Sequence, residues 1–555
     1  MKRLPFEKYR AYPKINNEDR KWPDNYIEKA PIWCSVDLRD GNQALINPMR
    51  VPEKLRFFRL LLEIGFKEIE IGFPAASETE LEFCRALVDQ KMIPDDVFVQ
   101  VLCQCREPLI DQTFIALKGV KKAIFHLYNS TSKLQRDVVF RASRQEIVDI
   151  ALKGTRRVKE LLKKNEFEDF IFQYSPESYT GTEPDFALDI CHAVTEEWGA
   201  TPENKIILNL PATVEMSTPN VHADLIETFI RDFKYRDSAI ISLHPHNDRG
   251  CAVAATELGL MAGADRVEGT LMGNGERTGN VDIITLAMNL YSQGIDPCLK
   301  LAETEKVKKT VEDLTEIKTH PRHPYMGELV FTAFSGSHQD AIKKGFQAQK
   351  ASKSKIWEVP YLPIDPEDLG RTYEAVIRIN SQSGKGGAAY VMDEYFGFRL
   401  PRDIEIDFGR AVKAYSDKKG KEVTNIEINA LFKKEYQDFD LPLALSDYTM
   451  SSEDDTTRGE FNITVNGKKK HLTGSGNGPL DALANSLREN FNAEFDILDY
   501  REHSLGDGSN AKAVCYITIR NGNEKSTHSI GIHTNTVTAS LQSLLRALNK
   551  AGVVS

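Results

Sequence analysis

The chain has 555 residues, too many for one hydrophobic core, so two to four domains are expected. Its 71 basic and 81 acidic residues leave a net charge of −10 without any strongly basic stretch, which argues against nucleic acid as the main partner. Apolar residues make up 41% of the chain, yet no apolar run approaches the roughly 20 residues of a membrane helix, so no membrane association is expected.

The first thirty residues carry Glu7, Glu18, Asp19, Asp24 and Glu28 and lack an apolar stretch, which argues against a signal or transit peptide. The eight cysteines are scattered, and only Cys103 and Cys105 lie close together. A CxC inside an apolar run reads as two buried thiols, and the whole pattern as a cytoplasmic protein with reduced cysteines.

From about residue 30 to 285, short β-branched runs alternate with charged stretches of helical period. Eight runs read as strands: 32–38, 68–73, 97–103, 122–127, 169–174, 205–210, 239–243 and 266–271. Helical stretches between them include 52–64, 78–90, 144–164, 184–198, 220–232 and 250–261. Eight βα units over this length predict an α/β fold of the (β/α)8 TIM-barrel type rather than an open sheet.

After Ile295 the regularity stops. Residues 301–436 read as linker subdomains of mixed α/β structure, with helices at 303–318 and 340–350, a Pro-rich passage "WEVPYLPIDPEDLG" and a glycine turn "SQSGKGGAA". The polar, acidic stretch 437–459 reads as a mobile connection opening the last domain, 437–555. That domain holds a weak repeat, each copy with a strand ending in Asn-Gly, a second strand, a turn and a helix, which predicts an α+β module of two ββα-like units.

In a (β/α)8 barrel the chemistry stands at the C-terminal ends of the strands. Those ends carry Arg39 and Asp40, Gln104, His126 and Tyr128, Ser175 and Glu177, Pro211 and Thr213, and His244, His246, Asn247 and Asp248. After the eighth strand comes the loop "GNGERTGN", 273–280. His244 and His246 are two apart on a strand, so both imidazoles face one way. With the carboxylate of Asp40 and the amide of Asn280 they suit a divalent metal with open positions, for which Mg2+, Mn2+ and Zn2+ all fit. The absence of thiolate argues against a closed structural zinc. Arg39 would steady negative charge developing on an oxygen, Glu177 would orient a water or Arg39, and Thr213 offers a hydroxyl to a carboxylate. The loop 273–280 matches no nucleotide-binding pattern, so its glycines read as close backbone approach to a ligand. The stretch "VDLRDGNQA" reads as a strand end, with Gly41 bending the chain away.

"DLRDGNQA", "LHPHNDRGCAVAATELGLMAGADRVEGTLMGNGERTGNVD", "SGSHQDAIKKG", "VPYLPIDPEDLGRTYEAVIRINSQSGKGG", "GSGNGPLDAL" and "LDYREH" together resemble the 2-isopropylmalate synthase family in its longer form, over nearly the whole chain. The Arg-Asp turn and HxH alone would indicate only a wider superfamily that includes homocitrate and citramalate synthases and hydroxymethylglutaryl-CoA lyase. The lyase branch has a cysteine on its glycine-rich loop, and "GNGERTGN" has none.

The resemblance implies an acyltransferase that condenses acetyl-CoA with 2-oxoisovalerate, with leucine as feedback inhibitor and a homodimer as the working unit. It implies metal ligands Asp40, His244, His246 and Asn280, and an oxo acid held by Arg39 and Thr213. The branched tail of that acid would meet Leu102, His126, Tyr128, Ser175 and Pro211. His338 and Tyr361 would complete the site from the partner subunit, with His338 or Glu177 as general base. Leucine would be held by Gly476, Gly478, Leu480, Ile497, Tyr500 and Ala511, although Asp481 and Ser504 stand where small apolar residues are expected. The implied domains are an N-terminal extension (1–30), a catalytic barrel (31–300), linker subdomains (301–436) and a leucine-binding regulatory domain (437–555).

Overall fold

Strand β2 (Glu68–Gly72) reads Glu-Ile-Glu-Ile-Gly and is buried at all five positions. Successive side chains of a strand point to opposite faces, so Ile69 and Ile71 meet the helix layer while Glu68 and Glu70 turn into the sheet's interior. That alternation, apolar outward and polar inward, recurs along most of the strands that follow. The computed structural model describes residues 10–553, apart from 353, 372–384, 421–422, 439–441, 507, 509 and 523–524.

Strands β1 (Ile32–Ser35), β2, β3 (Phe98–Gln104), β4 (Lys122–Ser130), β5 (Asp169–Glu177), β6 (Ile206–Ala212), β7 (Ala239–Pro245) and β8 (Arg266–Gly269) close into a parallel barrel in chain order. Helices α1 (Val51–Ile64), α2 (Glu78–Asp89), α3 (Glu107–Ala116), the short α4 (Lys133–Gln135), α5 (Arg144–Leu162), α6 (Pro184–Trp198), α7 (Pro219–Asp232), α8 (Ala252–Met261) and α9 (Ile283–Ser292) fill the connections. The expected TIM barrel is therefore present. The outward residues form the apolar seam with the helices; Phe125 and Phe172, for example, stack on Phe114 and Trp198 at centroid distances of 5.2 and 4.3 Å.

The chain divides into two compact units, Met1–Val330 with Glu367–Gly370, and Phe331–Pro366 with Arg371–Ser555. Helix α10 (Thr304–Thr315) belongs to the first. Ahead of the barrel, Arg20 and the Trp22 indole both grip Asp224 of α7, at 2.5 and 2.9 Å.

The helices expected at 303–318 and 340–350 are present as α10 and, in the second unit, α11 (Gly336–Ser352). Among the described residues of the second unit, α11, α12 (Lys385–Phe396), α13 (Arg402–Lys419) and α14 (Asn425–Tyr436) precede the sheets, joined by irregular segments, with no strand among them. Of the expected glycine turn, residues 381–384 lie outside the described set and 385–389 open α12.

The acidic stretch read as a mobile connection is a hairpin, β9 (Leu443–Glu453) with β10 (Thr456–Val465), apart from 439–441, which lie outside the described residues. Its period was hidden by a bulge, since the register shifts between Asn462 and Ile463. The core-facing residues Leu443, Leu445, Tyr448 and Met450 are therefore spaced two, three and two apart.

With β11 (Lys468–Gly476), α15 (Pro479–Phe491), β12 (Asp496–Leu505), β13 (Lys512–Arg520), β14 (Thr527–His533) and α16 (Thr536–Ala551), each repeat is βββα rather than ββα. The sheets run β11-β10-β9 and β12-β13-β14. Phe461, Ile463 and Leu472 pack with Ile517, Ile519 and the apolar faces of α15 and α16 in one core. On the other face of β13, Val514 and Tyr516 pack with Ile530 of β14 against α12–α14, where Met392, Phe408 and Phe432 sit. Covered on both sides, β13 reads as an almost unbroken apolar run.

Candidate functional site

Strand β1 stops at Ser35, short of the expected end, and Asp37–Gly41 forms one wide π-helical turn closed by Gly41 N donating to Val36 O at 3.1 Å. The turn is pinned to the β8 side of the barrel, because the Leu271 amide donates to both Asp37 carboxylate oxygens at 3.1 and 3.2 Å, and Ser35 Oγ donates at 2.8 Å. Burial pushes the Asp37 carboxyl up to about 7 against those hydrogen bonds. Gly41 sits inside this turn in helical conformation, so a helical turn and not a glycine bend carries Arg39 and Asp40 to the mouth.

Asp40, His244 and His246 converge there, each offering a ligand atom within 4.8 Å of the others. His244 Nε2 lies 3.2 Å and His246 Nε2 3.5 Å from Asp40 Oδ2. Against the effect of burial, the Arg39 guanidinium and the His244 hydrogen bond hold the Asp40 carboxyl well below the usual range. Burial likewise disfavours charge on His244, but its bonds to Asp40 and Glu268 raise it to about 9. Burial and the neighbouring His244 lower His246 to about 4.

Asn280 pairs with His246 across an isolated bridge, and its amide nitrogen donates to Asn274 O at 3.1 Å. Its buried Oδ1 has no hydrogen-bond partner, and neither has His246 Nδ1. Burying such atoms unpaired is costly, and an oxygen and nitrogen donor set with atoms to spare fits a divalent cation. The loop behind Asn280 can lie this close only because of glycine. At Gly279, with φ of +94°, a Cβ would collide with the Gly273 carbonyl at 1.8 Å.

Beneath the cluster runs a closed ring of polar side chains. Arg39 Nε donates to Glu70 Oε2 at 2.5 Å, and Glu70 Oε1 meets His126 Nδ1 at 2.7 Å. His126 Nε2 meets Ser175 Oγ at 2.7 Å, and Asn209 Nδ2 reaches Ser175 Oγ at 3.1 Å and Glu268 Oε2 at 3.2 Å. Glu268 Oε2 meets His244 Nδ1 at 2.8 Å, and Arg39 closes the ring on Asp40 at 3.2 Å. Gln100 Nε2 bridges Glu70 and Glu268 at 2.9 and 2.8 Å, so every strand of the barrel or the turn after it is represented. Burial opposes ionisation of both carboxyls, but Arg39 and His126 lower Glu70, and Arg266 and His244 lower Glu268.

Above the ring opens a cavity of about 330 Å³, within the size range of small-molecule sites. Arg39, Asp40, Leu102, His126, Tyr128, Ser175, Glu177, Pro211, Thr213, His244 and His246 all line it. Burial pushes the Tyr128 phenol up to about 12. Glu177 accepts a short hydrogen bond from Ser130 Oγ, and Thr213 Oγ1 accepts from the Ser178 amide at 2.9 Å. Gln104, by contrast, lines a separate cavity with Cys105 and Asn129.

His338 and Tyr361 belong to the second unit, where their rings stack at 4.0 Å on its surface, and Tyr361 holds a left-handed φ of +66°. In the same unit, Gly476 ends β11, Gly478 caps α15, Leu480 packs on the core, Ile497 and Tyr500 stand on β12, and the Ala511 amide donates to Gly508 O at 3.2 Å.

Sequence reasoning missed Glu70, Gln100, Asn209, Arg266 and Glu268 in the ring, and Gln43, Phe73, Glu276 and Arg277 on the cavity wall. The ring had a signal: polar residues at alternate positions inside apolar strands, as in "EIEIG", "VQVL", "LNLP" and "RVEG".

Residues 30–311 match the HMGL-like family, so fold and cluster define a barrel protein of that class. Residues 328–393 match the post-catalytic domain-like model of alpha-isopropylmalate synthase, and 422–552 the LeuA allosteric (dimerisation) domain. The chain is 52% identical over 554 residues to a 2-isopropylmalate synthase of Clostridium acetobutylicum, covering 98% of this chain and 99% of the relative. It is 53% identical over 550 residues to that of Acetoanaerobium sticklandii, covering 99% and 97%. Against that of Pseudomonas syringae pv. syringae it is 51% identical over 547 residues, again covering 99% and 97%. The chain belongs to the 2-isopropylmalate synthase family.

Proposed function

We propose that this chain joins acetyl-CoA to 2-oxoisovalerate (3-methyl-2-oxobutanoate) and water to give 2-isopropylmalate and CoA, the first committed step toward leucine. The observation that carries the reading is the buried Asp40–His244–His246–Asn280 cluster, with its unpaired oxygen and nitrogen, beneath a cavity of oxo-acid size. Those four residues would hold the divalent ion, Mg2+ before Mn2+ or Zn2+. When bound, the ion supplies Lewis-acid polarisation of the 2-oxo group.

The protein's own groups do the rest. Arg39, fixed on Glu70 and Asp40, stands ready to stabilise the negative charge that develops on the carbonyl oxygen as the new C–C bond forms. Thr213 takes the carboxylate, and Leu102, Tyr128 and Pro211 give the branched tail an apolar wall, with His126 and Ser175 beneath. His338 or Glu177 removes the thioester α-proton. Water then cleaves the thioester, releasing the CoA thiol and leaving a carboxylate.

We read His338 and Tyr361 as reaching the mouth from the partner subunit of a homodimer. Residues 437–555 act as the regulatory domain, holding leucine at Gly476, Gly478, Leu480, Ile497, Tyr500 and Ala511. Among the described residues no helix is long and apolar enough to cross a membrane. The eight unpaired thiols fit a reducing compartment, so we place the reaction in the cytoplasm.

The test is a thiol-release assay with acetyl-CoA and, in turn, 2-oxoisovalerate, pyruvate and 2-oxoglutarate, with and without a chelator. CoA release is expected only with both metal and 2-oxoisovalerate. A clear preference for pyruvate would move the assignment to citramalate synthesis, and one for 2-oxoglutarate to homocitrate synthesis.

A further inference from the structure

We propose that Glu268 is a positioning residue that sets the cluster's affinity for its divalent ion by fixing the ring of His244. This rests on reading Asp40, His244, His246 and Asn280 as the metal set.

Glu268 is completely buried, and five donors converge on its carboxylate. Oε1 accepts from Gln100 Nε2 at 2.8 Å, Gln173 Nε2 at 2.7 Å and Arg266 NH1 at 2.8 Å. Oε2 accepts from Asn209 Nδ2 at 3.2 Å and His244 Nδ1 at 2.8 Å. Five donors more than fill the roughly four lone-pair positions of a carboxylate, so its orientation is set by barrel strands and not by the ion. A carboxylate only accepts, so the proton of neutral His244 must sit on Nδ1. Nε2, which bonds Asp40 at 3.2 Å where the ligand atoms converge, is then the nitrogen that gives up its proton and offers its lone pair to the ion.

Stability alone gives no reason for this arrangement. Barrel interiors are commonly filled by branched apolar side chains, and buried ion pairs are often no more stabilising than apolar residues of equal volume. Here the layer instead holds Arg266, Glu268, Gln100 and Gln173, all fully buried. Glu70 makes the matching contacts to Arg39 and His126 but none to the four metal candidates, which singles out Glu268 as the carboxylate that acts through a ligand.

The experiment uses the full-length protein, stripped with a chelator and titrated with Mn2+ alone, free ion being followed by electron paramagnetic resonance. Glu268→Asp keeps a charge opposite Arg266 but draws it back from His244; Glu268→Gln keeps the reach and removes the charge. Both are expected to weaken Mn2+ binding by roughly 10–100-fold, with circular dichroism of the metal-free protein unchanged. A purely structural role would lower the melting temperature and leave the Mn2+ affinity alone. A folded Glu268→Asp protein with wild-type affinity would overturn the proposal. Should neither variant fold, imidazole nitrogen NMR of the Mg2+-loaded wild type decides: Nδ1 protonated on His244 supports it, and Nε2 protonated refutes it. If the wild type takes no Mn2+, or His246→Ala binds it equally well, the metal reading itself fails, which is a different result.

Discussion

The first unit places Arg266, Glu70, Glu268, Gln100 and Gln173 in its barrel interior, while the second places Phe461, Ile463, Ile517, Ile519 and Leu544 in the core between its sheets and helices. Both interiors are fully shielded from water, but they answer different demands. The apolar core gains free energy in proportion to the area it removes from water. The polar one spends desolvation energy and recovers it in part through a hydrogen-bond network that holds Arg39, His126 and His244 each in one orientation. Rigid placement is the product of the barrel, and cohesion is the product of the apolar core.

The sharpest way to break this contrast is His244→Ala. Metal-dependent thiol release is expected to fall at least about a thousand-fold, roughly 4 kcal/mol of transition-state stabilisation, while circular dichroism stays that of a folded barrel. Activity within tenfold of wild type would remove His244 from the metal set.

Next in size is the general base, which also asks whether the second unit takes part in chemistry. Glu177 is already engaged by the Ser130 hydroxyl, whereas the His338 imidazole is exposed beside Tyr361. We expect His338→Asn to lower kcat by about 10²–10⁴-fold, with Glu177→Gln costing about tenfold. The reverse order would move the base into the barrel and leave the second unit without a proton to handle.

How far the sequence could be read follows the same contrast. The barrel was legible because each strand carries an outward apolar alternation bounded by turns, and the HxH pair because two residues on one strand share a face. Glu70 and Glu268 in the ring under the mouth were not, because a Glu in "EIEIG" or "RVEG" looks like the wet side of a half-exposed strand until closure of the sheet puts that side inside. Asp37 was hidden in another way: "DLRDG" has the composition of a surface turn, and the Leu271 amide bound to the Asp37 carboxylate shows that it is a buried helical turn. In the second unit, the bulge at Asn462 broke the period of β9, and the polar outer face of that sheet passed for a loop. Apart from Asn280, the expected site residues on the barrel line one cavity, because strand parity and strand ends suffice to place them.

Third comes a lesion in the apolar core. Ile519 is fully buried between the sheets and α15/α16, and Ile519→Ala is expected to cost about 2–5 kcal/mol. Urea unfolding followed by circular dichroism should show an early transition for the second unit. Leucine-free turnover of the folded enzyme should stay within about twofold, the opposite pattern to His244→Ala. An equal loss of turnover would mean that the apolar core also positions catalytic groups.

The smallest effect is expected in the regulatory response. Removing everything after about residue 435 is the obvious test, but Val514, Tyr516 and Ile530 share their core with α12–α14, so the cut would expose that face to water. A point change avoids this. The Tyr500 ring is partly exposed on β12, and its hydroxyl donates to Glu502 Oε2 at 2.6 Å and lies 3.7 Å from Cys515 Sγ. Burial and the Glu502 carboxylate push that phenol well above its ordinary range, so it remains a neutral donor at working pH. Tyr500→Ala should raise the leucine concentration for half-inhibition about tenfold, near 1.4 kcal/mol of binding, with leucine-free kcat unchanged. Tyr500→Phe, which keeps the ring, should shift it less. An unaltered leucine response in Tyr500→Ala would place the amino acid elsewhere in the repeat, whereas a parallel fall in leucine-free kcat would show that β12 shapes catalysis as well as its inhibition.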